Sequence, residues 1–162
     1  MKTGKSTSRA VVPVKFDQTD RKIIGVLGTD GRIPLAELGR RVNLSPPAVA
    51  ERVQRLEHAR VITGYRAIID PRALGYQLTA IVRVKPTPGQ LPRIPELALQ
   101  IPEVAECHRI TGEDCFYLKV HLRSIEELTT VLDRFLAYGE TTTSIINASP
   151  ILYRDPPLPD AG

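Results

Sequence analysis

The feature that most constrains this sequence is a tight turn between two short amphipathic segments near residue 43. Asn43 tolerates the left-handed backbone that often ends a helix, and Ser45 followed by Pro46 is a strong signal for the start of the next one. Apolar residues recur at helical spacing on both sides: Leu35, Leu38 and Val42 before the turn, and Val49, Val53 and Leu56 after it. The pattern predicts two helices joined at Asn43 and Leu44, which is the spacing of a helix-turn-helix.

A further helix is predicted before this pair. Asp17 or Thr19 can cap it, and the run from Gly28 to Gly31 ends it. Its apolar residues, again at helical spacing, are Ile23, Ile24 and Leu27. Pro34 is well placed in the first turn of the second helix. We therefore expect three short helices with tight turns in residues 16–64.

Strand-like segments replace this pattern after Ile62. The sequence predicts, in order, a strand at Leu78–Val84, a helix around Ile94–Leu99, strands at Val104–Ile110 and Phe116–Arg123, a helix that Gly139 ends, and a last strand at Ser144–Asn147 or a little longer. Ser124 and Glu127 form a capping box for the second of these helices. The order β-α-β-β-α-β is that of a ferredoxin-like α+β sandwich, whose helices cover one sheet face and whose other face a second subunit usually covers.

The chain is therefore expected to be an α+β protein with five segments. These are a disordered basic arm at 1–15, a helix-turn-helix domain at 16–64, a linker at 65–76, a sheet-containing domain at 77–153 and a Pro-rich tail at 154–162.

The positive charge is concentrated in the first part of the chain. Up to Gly64 there are 12 Lys and Arg against 6 Asp and Glu, whereas the remainder has 10 against 12. This asymmetry favours a polyanion partner for the N-terminal part, although an unstructured basic arm would produce some of it without any function. No apolar run approaches the roughly 18 residues of a membrane span, and both cysteines are interpreted as free thiols. We expect a cytoplasmic protein with no membrane partner.

The candidate DNA contacts lie at the start and on the outward face of the helix that Ser45 opens. With the apolar stripe turned inward, a rotation of about 100° per residue defines the remaining positions. The predicted site consists of Ser45, Pro46, Pro47, Ala48, Glu51, Arg52, Gln54 and Arg55.

These residue types suit duplex DNA. Ser45 and the free amides of the first turn suit a phosphate, and Arg52 and Arg55 suit phosphate or guanine. Gln54 could read adenine, and Glu51 could accept a hydrogen bond from cytosine. The alternative is that Glu51 and Arg55, four positions apart, form an exposed ion pair on a small helical bundle without a DNA role.

Several of these segments closely resemble the Lrp/AsnC family, also called leucine-responsive or feast/famine regulators. In the first half the matching segments are Thr19–Ile24, Asp30–Ile33, Glu37–Leu38, Asn43–Pro46, Arg52–Glu57 and Val61–Tyr65. In the second half they are Pro102–Val104, Cys107–His108, Thr111–Glu113 and Thr142–Ser144. The resemblance runs from about Phe16 to Tyr153 in consistent order and spacing, which is more specific than any single motif.

The resemblance implies a nucleoid-associated transcription regulator with a winged helix-turn-helix that binds double-stranded operator DNA. It implies that residues 77–153 dimerise through their sheets, assemble in many members into tetramers or octamers, and respond to an amino acid or related metabolite. One departure is Arg60, where the family commonly has glycine after the recognition helix. We expect the helix simply to end differently there.

The resemblance also implies an effector site between subunits, against the glycine-containing turn after the second strand of this domain. The candidates are Thr111, Gly112, Glu113 and Asp114, with Thr142, Thr143 and Ser144 as weaker ones. Turn amides and hydroxyls suit the carboxylate of an amino acid, and an acidic group suits its ammonium. Many members carry aspartates where this chain has Cys115 and Ser124, so the ammonium partners differ here. Gly112 could instead serve only the hairpin.

Two other functions stay open at this point: an architectural DNA-binding protein without an effector response, and a metabolite-binding module without a DNA role. No enzyme and no cofactor are expected. A metal or thiol site would have to use Glu106, Cys107, His108, Cys115 and His121. Their spacing argues against it, because Cys107 and His108 are adjacent on a strand and point to opposite faces.

Overall fold

The computed structural model describes residues 15–158, which divide into two compact units. One unit comprises the chain up to Ala67 together with the segment from Tyr153, and the other is Ile68–Leu152. Most of the predicted basic arm and the last part of the predicted tail lie outside the described residues, and the finer domain boundaries stay predictions. No helix of the described range is long and apolar enough to cross a membrane.

The first unit contains three helices around one small core. They are α1 (Gln18–Thr29), α2 (Leu35–Val42) and α3 (Pro46–His58). Asp17 caps α1 through a capping box with Asp20, and the Ser45 hydroxyl of α3 accepts a hydrogen bond from the Ala48 amide. The buried core consists of Ile23, Ile33, Leu38, Val42, Val49, Val53 and Leu56. The three predicted helices are confirmed, but no strand is assigned between residues 15 and 67, so this part of the chain forms no β-wing.

Helices α2 and α3 are each followed by a residue whose backbone conformation is left-handed. Asn43 has φ 57° and Arg60 has φ 56°. After α3, the Arg60 amide donates to the Glu57 carbonyl and the Val61 amide to the Leu56 carbonyl, both at 2.9 Å, which is the Schellman arrangement. The expectation that the helix would end differently at Arg60 is therefore wrong: the arginine adopts the conformation that glycine would take at lower cost.

The second unit is a four-stranded antiparallel sheet with two helices. After a 3-10 helix at Pro71–Leu74, the elements are β1 (Leu78–Pro86), α4 (Arg93–Ala98), β2 (Val104–Arg109), β3 (Phe116–Leu122), α5 (Ile125–Leu136) and β4 (Gly139–Ile145). The sheet order β2-β3-β1-β4 and the antiparallel pairs confirm the predicted ferredoxin-like arrangement.

Two local predictions for this unit were wrong in detail. The last strand begins at Gly139, before the predicted Ser144, because Gly139 pairs with Pro86 and has no room for a Cβ beside the Lys85 carbonyl. The capping box of α5 is also incomplete. Ser124 accepts from the Glu127 amide as expected, but the Glu127 carboxylate accepts from the amide of Arg123, one residue before the cap.

The strand register separates two faces of the sheet. The face toward α4 and α5 carries the buried residues Ala80, Val82, Val84, Phe116, Leu118, Val120 and Leu122. The opposite face, called the open face below, carries Thr79, Ile81, Arg83 and Lys85 of β1 with Tyr117, Lys119 and His121 of β3. Burial alternates along β1, with Ala80, Val82 and Val84 buried and the residues between them partly exposed, as strand geometry requires.

Candidate DNA interface and effector site

The outward face of α3 presents three exposed side chains in one row. Pro47, Glu51 and Gln54 lie on the side opposite the buried stripe of Val49 and Val53, as their spacing requires. Ser45 and Pro46 at the helix start are also exposed, whereas Ala48 is half-buried. The structure therefore places Ser45, Pro46, Pro47, Glu51 and Gln54 where a ligand can reach them.

The two arginines of α3 contact aspartates at the start of α1, and Arg55 is at the same time 54% exposed. Nη1 of Arg52 lies 2.6 Å from Oδ2 of Asp17 and 2.9 Å from Oδ1 of Asp20. Nη2 of Arg55 lies 2.5 Å from the same Oδ1 of Asp20. Arg55 therefore pairs with Asp20, not with Glu51 as the alternative interpretation of the helix supposed.

Asp20 is the anchor of this cluster, because its side chain is only 1% exposed. A buried carboxylate costs free energy unless hydrogen bonds and opposite charges compensate it, and here the two guanidinium groups and the Asp17 amide do so. The hydrogen bond from Arg52, helped by that from the Asp20 amide, lowers the pKa of Asp17. Sequence reasoning missed both aspartates as partners of α3. The available signal was Asp20 itself, a charged residue one turn before the buried Ile23.

The predicted effector turn joins β2 and β3, and Gly112 adopts φ 111° within it. Thr111, Gly112 and Glu113 are exposed, and Asp114 is half-buried. Oδ2 of Asp114 lies 3.4 Å from Nη1 of Arg83, in the middle of β1. The sequence interpretation did not include Arg83, because nothing local to β1 shows that the turn folds beside it.

The weaker effector candidates on β4 are divided between the two faces of the sheet. Thr142 pairs with Arg83 and Ser144 with Ile81, so both lie on the open face. Thr143 pairs with the buried Val82 and is therefore on the face toward the helices. The structure brings together Asp114, Arg83 and Thr142, and it separates Thr143 from them.

Another cluster of titratable groups lies on the open face, away from the turn. Lys119 Nζ and His108 Nε2 lie 3.2 and 3.5 Å from the carboxylate of Glu106. Burial alone would raise the pKa of Glu106, but these two neighbours bring it below its usual value. Burial, together with Lys119, lowers the pKa of His121, whose Nδ1 lies 3.0 Å from the Thr79 hydroxyl.

The residues considered for a metal or thiol site do not assemble into one within residues 15–158. Cys107 and Cys115 are free, and no group of three metal-ligating side chains occurs there. Burial raises the pKa of Cys107, which keeps its thiol protonated at neutral pH and makes it a poor nucleophile.

Both units match the sequence patterns of known domains. Residues 16–57 match the AsnC-type helix-turn-helix domain, and residues 79–154 match the Lrp/AsnC ligand binding domain. The chain belongs to the Lrp/AsnC family.

Relatives in the Lrp/AsnC family align over most of their length. The HTH-type transcriptional regulator LrpC of Bacillus subtilis is 34% identical over 133 residues, covering 82% of this chain and 92% of LrpC. LrpA of Mycobacterium tuberculosis is 37% identical over 138 residues, covering 85% of this chain and 89% of LrpA. Like these Lrp/AsnC proteins, the chain is an HTH-type transcriptional regulator with a ligand-binding domain, and it is not an enzyme.

Solved Lrp/AsnC structures share the fold. The structure of B. subtilis LrpC superposes with a TM-score of 0.81 at 32% identity, covering 86% of this chain and all (100%) of LrpC. A regulator from Neisseria meningitidis in complex with L-Met superposes with a TM-score of 0.83 at 28% identity, covering 88% of this chain and 97% of that one.

Proposed function

We propose that this Lrp/AsnC protein reads operator DNA by placing the outward face of α3 in the major groove. The observation that carries the proposal is the exposed row of Pro47, Glu51 and Gln54 on a helix whose other side is fixed in the core. A recognition helix needs a rigid back and reachable side chains near its N-terminus. Ser45 and the first-turn amides lie at the same end and suit a phosphate. Such a regulator acts on chromosomal DNA in the cytoplasm.

The base-reading role falls to Gln54 and Glu51. Arg52 and Arg55 each donate from one guanidinium nitrogen to aspartates at the start of α1, so these carboxylates compete with guanine for them. Replacing Arg55 with alanine therefore removes a partner of the buried Asp20 as well as a candidate contact. That substitution alone cannot separate a loss of DNA contact from a loss of packing.

Gln54→Ala is the cleaner test, with Gln100→Ala in the other unit as the matched control. The operator is a duplex selected from a random-sequence library, and affinity is measured against a mixed-sequence duplex at matched salt. If Gln54 reads adenine, Gln54→Ala weakens operator binding by about 1–3 kcal/mol and relaxes specificity at one base pair. Equal operator affinity for the two variants would remove Gln54 from the interface. Equal affinity of the wild type for both duplexes would indicate an architectural protein.

The open face of the sheet is the proposed dimer interface, and the effector is proposed to bind where Arg83 and Thr142 of this face meet Asp114 of the turn. An amino acid offers a carboxylate for the Arg83 guanidinium and an ammonium for the Asp114 carboxylate. The turn residues Thr111, Gly112 and Glu113, which directly precede Asp114 in the chain, are exposed. The L-Met complex of the Neisseria relative supports an amino acid as the effector class.

Calorimetric titration with the standard amino acids tests this site. Arg83→Gln should abolish the binding seen with the wild type, whereas Arg134→Gln on α5 should not affect it. Binding that survives Arg83→Gln would place the effector elsewhere.

A further inference from the structure

The ion pairs between α1 and α3 leave the flank of the recognition helix almost without net charge. Two carboxylates, Asp17 and Asp20, face two guanidinium groups, Arg52 and Arg55. Arg52 uses one nitrogen, Nη1, for both carboxylates, which restrains that end of its guanidinium. Free arginines at this place would attract any DNA phosphate, whereas compensated ones attract it weakly.

We infer that Asp17 and Asp20 are specificity-determining residues for DNA binding, because they restrain Arg52 and Arg55 from making sequence-independent contacts with phosphates. The inference rests on the proposed function of α3 as the recognition helix. The aspartates need not touch DNA; they act as positioning residues through the arginines. A restrained guanidinium contacts DNA only in the geometry of the specific complex, whereas an unrestrained one can contact a phosphate of any DNA sequence.

Asp17 is the residue through which this can be tested without unfolding the unit. Its side chain is 51% exposed, so its replacement leaves no buried charge behind. Asparagine is as good an N-cap as aspartate, and its amide oxygen can still accept the hydrogen bond that the Asp20 amide donates to Oδ1 of Asp17. Asp17→Asn therefore removes the charge that faces Arg52 and keeps the cap.

The experiment measures the affinity of the full chain for the selected operator and for a mixed-sequence duplex across a series of salt concentrations. Removing the Asp17 carboxylate leaves the cluster with one uncompensated positive charge, although Arg52 still contacts Asp20. One such charge steepens the dependence of log affinity on log salt by about 0.9 for each helix-turn-helix bound. At physiological salt this corresponds to about five-fold tighter binding to mixed-sequence DNA. Operator affinity rises less, so the ratio of specific to nonspecific affinity falls. Asp133→Asn, on the exposed side of α5, makes the same change of net charge away from α3 and should leave both affinities unaltered.

A second protein background, in which Arg52 is replaced, distinguishes the loss of the ion pair from a general effect of net charge. In the Arg52→Gln protein, Asp17→Asn should give a much smaller gain on mixed-sequence DNA, because only the repulsion between the Asp17 carboxylate and the phosphates is removed and no arginine becomes available. An equal gain in that background, equal gains on both duplexes, or no gain in the wild-type background each overturns the inference. Absence of DNA binding by the wild type would instead refute the proposed function itself. Circular dichroism of each variant verifies that the helices are intact.

Discussion

Replacing Gly39 with alanine should destabilise the helix-turn-helix, although alanine is the better helix former. Gly39 is buried within α2, and its carbonyl accepts a hydrogen bond of 2.9 Å from the Leu44 amide. A Cβ on Gly39 would lie 2.6 Å from the Leu44 carbonyl oxygen. Because that oxygen belongs to the backbone of the turn, relief requires the turn itself to move.

Two opposing contributions decide the magnitude. Alanine in a helix interior gains about 0.8–1 kcal/mol over glycine. Forcing a methyl group into a filled space costs about 1–3 kcal/mol, and the upper part of that range applies where the obstacle is backbone. The expected net loss is about 1–2 kcal/mol of unfolding free energy. Gly25→Ala in α1 is the matched control, since a Cβ there would meet nothing within 4 Å, and it should gain about 0.5–1 kcal/mol.

Denaturant unfolding followed by far-ultraviolet circular dichroism gives the two free energies, and hydrogen exchange at the Leu44 amide reports the turn. Gly39→Ala should lower the protection of that amide, while Gly25→Ala should preserve it. If Gly39→Ala proves at least as stable as Gly25→Ala, the close approach of α2 to the Leu44 carbonyl does not constrain the turn and the reasoning fails.

Substitutions at Arg60 and Gly112, and a fragment of the second unit, test other parts of the molecule. Arg60→Gly should raise the unfolding free energy by about 0.5–1 kcal/mol by relieving the left-handed arginine; a loss measured by denaturant unfolding would show that the side chain outweighs the strain. Gly112→Val, at φ 111°, should abolish the effect of an amino acid on operator affinity while preserving DNA binding. If an amino acid shifts the operator affinity of the wild type and of the variant equally, the turn only connects two strands and does not bind the effector. The fragment 68–152, which has its own core, should dimerise at micromolar concentration, and a monomer in sedimentation would count against the open face as an interface.

The sequence by itself determined the elements whose signals are local. The cap at Asp17, the left-handed end at Asn43 and the cap at Ser45 each involve residues within about one helical turn, so they can be predicted without knowledge of the rest of the chain. Period-2 burial in β1 is similarly local, because successive strand residues point to opposite faces. The order of these elements, together with the family resemblance, was enough to predict the fold.

Only the tertiary structure decided which charges meet. Asp20 finds its partners 32 and 35 positions away on α3, and Arg83 lies beside Asp114 only because β1 and β3 are paired in one register. The start of β4 at Gly139 likewise depends on how closely β1 approaches it. An ion pair requires its atoms to lie within about 4 Å, and that distance is set by the packing of whole elements. Residue spacing along the chain carries no such information. The sequence therefore predicted Arg52 and Arg55 as DNA contacts, whereas the fold pairs them with Asp17 and Asp20.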